Sequence, residues 1–390
     1  MSGAGTDRGG LDAALRRAGD AMLVLLAVAV SLSIAATEIA FWAAVALRLV
    51  RAGRGVAWRW RPRGVAVAWA ALAAAWCVSG LLAPEPGASV LRVHKLYVVG
   101  ALFLVAERAA EGAFARRLGA AYLLGAGLGA GSGLAGWLWS VAARPAGRLE
   151  GAFSTAMTAG NVLATAAVAA LAVGLAERGR LRGLACGTGG LVAAALAATR
   201  TRSSWLGAVA GAAVVALGGR WRRWALPALA ALVLAAAAVP AVRERAASAL
   251  DPRDSTASGR VSLWKTGWAL FGERPVFGWG LADHRHRIAE RRRPDATFVA
   301  GHFHNNIVQV AVSGGAVGLA AYAALHGAVL WALWRRRRGA WGLAGLGVWV
   351  SFQVAGLFDW SFGDAEVAYQ FWFWMGLALA DNEGDGPPPR

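Results

Sequence analysis

The feature that most limits this chain is a succession of apolar runs, 15 to 25 residues long, cut apart by short arginine clusters. About 20 apolar residues span the hydrocarbon core as a helix, which satisfies its own backbone groups. Only 16% of the residues are charged, against about 25% in soluble domains. The runs therefore predict an all-α, polytopic integral membrane protein rather than two or three soluble domains. About 12 transmembrane helices follow, over 19–34, 37–51, 65–83, 91–107, 119–142, 157–176, 183–199, 203–219, 224–241, 303–333, 340–358 and 364–380. The tenth run exceeds what a bilayer requires, which predicts a tilted helix or one that continues into the cytoplasm.

Charge placement orients these spans. With the N-terminus inside, the inside connections carry Arg8, Arg16 and Arg17; six arginines from Arg48 to Arg63; Arg108, Arg116 and Arg117; Arg178, Arg180 and Arg182; Arg220, Arg222 and Arg223; and Arg335 to Arg338. The short outside connections carry two at most, for example Arg144 with Arg148. That is the positive-inside pattern, and it accounts for the net charge of +18 without a nucleic-acid partner. The predicted location is a bacterial inner membrane. The first 20 residues are polar and offer no cleavable signal.

The expected organisation is nine spans in 1–242, one large periplasmic loop with short helices in 243–302, three spans in 303–380 and a disordered tail in 381–390. Within the loop, Leu263, Trp264, Trp268 and Phe271 recur near helical spacing, predicting a helix on the membrane surface. Arg285 to Arg293, with His284 and His286, forms a second basic stretch suited to anionic headgroups.

Several chemistries are absent from the pattern. There is no Walker A loop, no Asp-X-Asp motif and no serine nucleophile elbow. Cys77 and Cys186 lie in or beside apolar runs and indicate no disulfide framework. His302 and His304, taken with Asp283, His284 and His286, match no standard zinc spacing, so neither a metal nor another cofactor is expected. What remains is a histidine and several arginines at the outer face. His304 opens the tenth run, and Arg200 and Arg202 lie between spans seven and eight. A histidine accepts a proton near neutral pH, and arginines grip a phosphate. Together they suit attack by a hydroxyl on a sugar carbon with a lipid pyrophosphate leaving.

A resemblance sharpens this reading. The segment Gly259-Arg260, Trp264, Glu273-Arg274-Pro275-Val276-Phe277-Gly278-Trp279-Gly280, His302-Phe303-His304-Asn305-Asn306-Ile307-Val308-Gln309 and Ser313-Gly314-Gly315-Ala316-Val317-Gly318-Leu319 resembles the signature region of the O-antigen ligase superfamily. That group includes O-antigen polymerases and O-oligosaccharyltransferases. Thr201-Arg202-Ser203 resembles its Ser-Arg-Gly element, and Gly151-Ala152-Phe153 with Asn161 resembles a weaker one. The likeness implies a metal-independent, inverting glycosyltransferase that moves a glycan from undecaprenyl pyrophosphate, in ligases to a lipid A–core sugar. It implies His304 as the base and Arg202 and Arg260 as pyrophosphate ligands. Arg200, Arg274, His302, Asn305 and Asp359 are the expected substrate-binding residues. Thr201 and Ser203 depart from the commoner residues, and His302 competes with His304.

The rivals are a polymerase or protein glycosyltransferase of the same superfamily, and a transporter of lipid-linked glycan. One sizeable outer loop and a short tail after the last span favour the ligase. Spans with few buried charges argue against the transporter.

Overall fold

The structure is a computed structural model that describes residues 3–58, 60–141, 147–219, 255–291 and 301–380, with scattered positions between 223 and 244. All regular structure among them is helical. In chain order the helices are α1 (Gly3–Ala29), α2 (Ile34–Gly53), α3 (Arg63–Leu81), α4 (Pro86–Leu91), a 3-10 stretch (Arg92–Val99), α5 (Gly100–Ala109), α6 (Gly112–Val141), α7 (Ala156–Ala176), α8 (Gly179–Ala198) and α9 (Arg202–Gly218). Then come α10 (Ser255–Glu273), α11 (Arg285–Glu290), α12 (Asn306–Arg336), α13 (Ala340–Gly356) and α14 (Ala365–Leu379).

Six helical stretches are long and apolar enough to cross a membrane: Arg63–Leu81, Pro86–Ala109, Gly112–Ser140, Ala156–Ala176, Gly179–Ala198 and Asn306–Arg336. α9 and α13 are apolar but shorter. This is the composition of a multi-pass membrane protein; the count of twelve remains an expectation. The predicted span at 224–241 lies mostly outside the described residues, as do the start of the predicted loop, 292–300 and the tail.

Small residues let the helices approach closely, the usual packing device where lipid is as apolar as the side chains. A Cβ on Gly207 or Gly211 of α9 would lie 2.7 Å from Ser351 O or 2.5 Å from Gly347 O of α13. One end of the bundle gathers ion pairs. Arg48 meets Glu107 at 2.9 Å, Arg51 meets Asp12 at 2.9 Å, and Arg108 meets Asp20 at 2.6 Å. The ends of α2 and α5 and the stretch of α1 from Asp12 to Asp20 therefore share that end.

The tenth run is broken. Gly315 has φ 62° and ψ −161° inside α12, so Asn306–Gly314 and Ala316–Arg336 are two segments. A break inside a membrane helix frees backbone groups that must find partners. The segment 275–280 supplies them. Trp279 N–H donates to Val312 O at 2.8 Å, and Gly280 N–H donates to Ser313 O at 2.9 Å. Ala316 N–H donates to Pro275 O at 2.7 Å, and Val317 N–H donates to Val276 O at 3.2 Å. The two glycine-rich motifs of the sequence are thus halves of one joint.

The predicted surface helix at 262–271 is longer, spanning Ser255–Glu273, and its apolar face has a protein partner. Leu263 and Leu270 pack with Ile288, Phe303, Val308 and Val312. Trp264 Nε1 donates to Phe303 O at 3.1 Å, while Trp268 stays exposed. The helix is a brace on the first half of α12, because burying apolar area against protein fixes it there.

Candidate active site

The start of α7 is where the site is assembled. Thr155 caps the helix by accepting from Thr158 N–H at 3.1 Å. Behind the cap, this first stretch carries contacts to three other parts of the chain. Thr201 Oγ1, at the N-cap position of α9, donates to Ala156 O at 2.9 Å. Arg260 Nη2 of α10 lies 3.1 Å from Met157 Sδ. Thr158 Oγ1 donates to Asp364 Oδ2 at 2.9 Å, and Asn161 Nδ2 donates to Asp359 Oδ2 at 2.9 Å. Gly160 makes the α9 approach possible, since a Cβ there would lie 2.7 Å from Ser204 Oγ.

His304 Nδ1 is 3.2 Å from Asp359 Oδ1, and both residues are buried. A carboxylate acceptor at that distance fixes the proton on Nδ1 and leaves Nε2 as the acceptor nitrogen of the neutral ring. The carboxylate is itself held, by Trp360 N–H on Oδ1 at 2.9 Å and by Asn161 on Oδ2. Asn305 caps α12, accepting from Ile307 N–H at 2.8 Å and Val308 N–H at 3.1 Å, and donates through Nδ2 to Leu357 O at 2.9 Å. Asn306 Oδ1 accepts from Phe362 N–H at 3.1 Å. The two asparagines therefore grip both ends of the turn that carries Asp359.

His304 and Arg200 are the non-glycine residues with positive φ among the described residues, at 46° and 51°. That conformation costs roughly 1–2 kcal/mol and is kept where surrounding structure imposes it. At His304 the support is His302, whose Nδ1 accepts the His304 N–H at 3.2 Å, with ring centres 4.1 Å apart. At Arg200 the chain reverses between α8 and α9. Arg148 of the preceding loop fastens that turn, donating to Thr199 O at 2.8 Å and Thr201 Oγ1 at 2.7 Å. Arg200 and Arg202 thus flank the N-cap Thr201 that is joined to α7.

The expected residues divide accordingly. His302, His304 and Asp359 form one hydrogen-bonded group, and Asn305, the residue after His304, ties the start of α12 to Leu357. Arg202 and Arg260 come from elements that reach the same first turns of α7. Arg274 has other company: its guanidinium carbon lies 5.2 Å from the Trp279 ring centre, and Nη1 donates to Leu82 O at 3.4 Å. Thr158 and Ser204 join this group with no mark in the sequence, and Asn161 enters the sequence analysis only through a weak motif. The available signal was an amide, Asn161, inside a run otherwise dominated by alanine, valine and leucine.

Burial pushes His302 down to about 4, helped by the neighbouring His304. Burial, then Arg287, pushes His284 down to about 3; its Nε2 lies 3.1 Å from Ser313 Oγ. Below the ordinary histidine value of 6.5 the unfolded chain therefore binds protons that the folded protein refuses. The contribution of this pair to stability is complete above about pH 6.5 and is lost as pH falls, toward about 4 for His302 and about 3 for His284. The thermal midpoint in detergent is expected to drop on acidification through that window, less steeply in a His284→Asn/His302→Asn variant. Equal slopes for the two proteins contradict the assignment.

The donor atoms of His302, His304 and Asp359 lie within 4.8 Å of one another, a set of the kind that holds zinc. Asp359, not the 283–286 stretch, completes the set. Asp283 accepts from Arg285 N–H at 2.9 Å, and His284 is engaged by Ser313.

Fold and site define a class: a multi-pass helical membrane protein with a buried histidine–carboxylate pair where several helices begin. The family model for O-antigen ligase matches residues 188–323, which supports membership of the O-antigen ligase superfamily. Its members are glycosyltransferase-like enzymes. The matched stretch takes in Arg200, Arg202, Arg260, Arg274, His302, His304 and Asn305, while Asn161 and Asp359 lie on either side of it. No curated protein matches the chain.

Proposed function

We propose that this protein transfers an O-antigen glycan from undecaprenyl pyrophosphate to a lipid A–core sugar hydroxyl at the periplasmic face of the inner membrane, without a metal. The observation that carries the reading is His304 hydrogen-bonded to Asp359, in a chain whose residues 188–323 match the O-antigen ligase family. The outward orientation is supported by the paired arginines, which gather at the ends of α2 and α5, while the histidine belongs with the start of α7.

In this reading the acceptor hydroxyl gives its proton to His304 while its oxygen attacks the anomeric carbon. The bond from that carbon to the pyrophosphate oxygen breaks, and its electron pair leaves with the lipid pyrophosphate. Arg202 and Arg260, with Arg200 as a helper, neutralise the charge that grows there. A single displacement inverts the anomeric centre. Asp359 stabilises the imidazolium and holds it in register. His302, whose burial keeps it neutral, braces the backbone of His304.

The test is transfer by the purified protein from an undecaprenyl-pyrophosphate glycan to lipid A–core. Free repeat units and a protein acceptor, tried alongside, separate ligase from polymerase and protein glycosyltransferase. One observation favours a second reading, in which His302, His304 and Asp359 hold a divalent cation. Chelation is expected to leave the rate within about two-fold, against the 10²–10⁴-fold that a general base contributes. A rate that collapses with chelator and returns with zinc selects the metal reading.

A further inference from the structure

Asp359 can support His304 only if its carboxylate is held with one oxygen toward the imidazole, and the turn that carries it is loop rather than helix. Its second oxygen is held from another helix altogether. Asn161 Nδ2 donates to Asp359 Oδ2 at 2.9 Å, 198 residues away in the chain. An amide can turn over and present its oxygen instead, which would repel the carboxylate. That repulsion sets which way the amide faces, and Ser204 adds to the hold by donating its hydroxyl to Asn161 Oδ1 at 2.7 Å. Asn161 is 3% exposed and Ser204 fully buried, so water does not compete for either bond. The close approach that Gly160 allows keeps the hydroxyl in place.

An unbroken chain of side-chain hydrogen bonds thus runs His304–Asp359–Asn161–Ser204. It ends in the first turn of the helix that Arg202 opens. We propose that Asn161 is a positioning residue for the transfer: with its amide held between Asp359 and Ser204, it aligns Asp359 on His304 and sets that pair in register with the Arg202 turn. This rests on the proposed reading of His304 as the base. A displacement of about 1 Å at a reacting group costs on the order of 10²-fold in rate, so the expected effect falls on turnover rather than on substrate affinity.

The experiment compares wild type, Asn161→Leu, Ser204→Ala, Asp359→Asn and the Asn161→Leu/Asp359→Asn pair in the lipid A–core transfer assay, with rates per folded molecule. Asn161→Leu is expected to lower kcat about 30- to 100-fold with KM for donor and acceptor within about two-fold. Ser204→Ala is expected to lower kcat by about three- to ten-fold, since the amide keeps its place part of the time. The pair should be no slower than Asp359→Asn alone, because both act through one carboxylate. A kcat within two-fold of wild type for Asn161→Leu, a change confined to KM, or losses that multiply in the pair would overturn the assignment. Should Asn161→Leu not fold, Ser204→Ala still decides: unchanged kcat sinks the proposal. An inactive wild type is a failure of the functional reading instead, and is seen before any variant is made.

Discussion

Alanine at His304 is expected to reduce glycan transfer by about 10³-fold, within the 10²–10⁴ range of a lost general base. Three features of the structure set this apart from an ordinary buried histidine. Its Nδ1 is 3.2 Å from a carboxylate that is itself fastened by an amide and a backbone N–H. Its backbone is held at φ 46°, a strained conformation for a residue with a Cβ. It immediately precedes the asparagine pair that grips the turn bearing its own partner. His302→Ala is expected to cost less, about ten-fold, because His302 contributes an acceptor to the His304 N–H rather than a proton site. Initial rates at matched concentrations of folded protein decide it. Full activity in His304→Ala with loss in His302→Ala would move the base to the other ring.

The second large effect is on folding. Gly315→Ala is expected to abolish the native state, with a cost of roughly 4 kcal/mol or more. At φ 62° and ψ −161° the residue occupies a region open essentially to glycine alone. A Cβ would lie 2.3 Å from Val276 O, 2.4 Å from Val276 C and 2.6 Å from Phe277 N. These are backbone atoms of the strap that supplies partners to the broken helix, so they cannot swing aside. The adjacent Gly314→Ala is the control, because its Cβ would meet Trp76 at 3.4 Å, an ordinary contact. Extraction in mild detergent followed by size exclusion should give a monodisperse peak for Gly314→Ala and aggregate for Gly315→Ala. A stable, monodisperse Gly315→Ala protein would mean that the joint between 275–280 and α12 is not required.

The apolar runs determined the class by themselves. A stretch of some 20 apolar residues has few options other than a membrane helix, and helices cover each predicted span except the one at 224–241, which lies mostly outside the described residues. His304 was legible for a related reason, since an ionisable group at the mouth of an apolar run is costly to keep without use, while His302 and Asn305 were legible through the motif they share with the O-antigen ligase superfamily. The break at Gly315 was not legible, because a glycine in an apolar run reads the same whether it packs a helix or ends one. Only the four backbone hydrogen bonds from 275–280 decide it.

The site's completion likewise belonged to the tertiary structure. Asp359 stands 55 residues from His304, and Asn161 stands 198 from Asp359. Sequence spacing carries no information about pairs so far apart, since helix packing alone sets which ends meet. Periodicity and charge placement are local, and the sequence determined what is local: the helices, and the histidine and arginines near their ends. A hydrogen-bonded centre is a relation between helix ends, so the tertiary structure decided that Asp359, Asn161 and Ser204 line up on His304 while Arg274 joins Trp279.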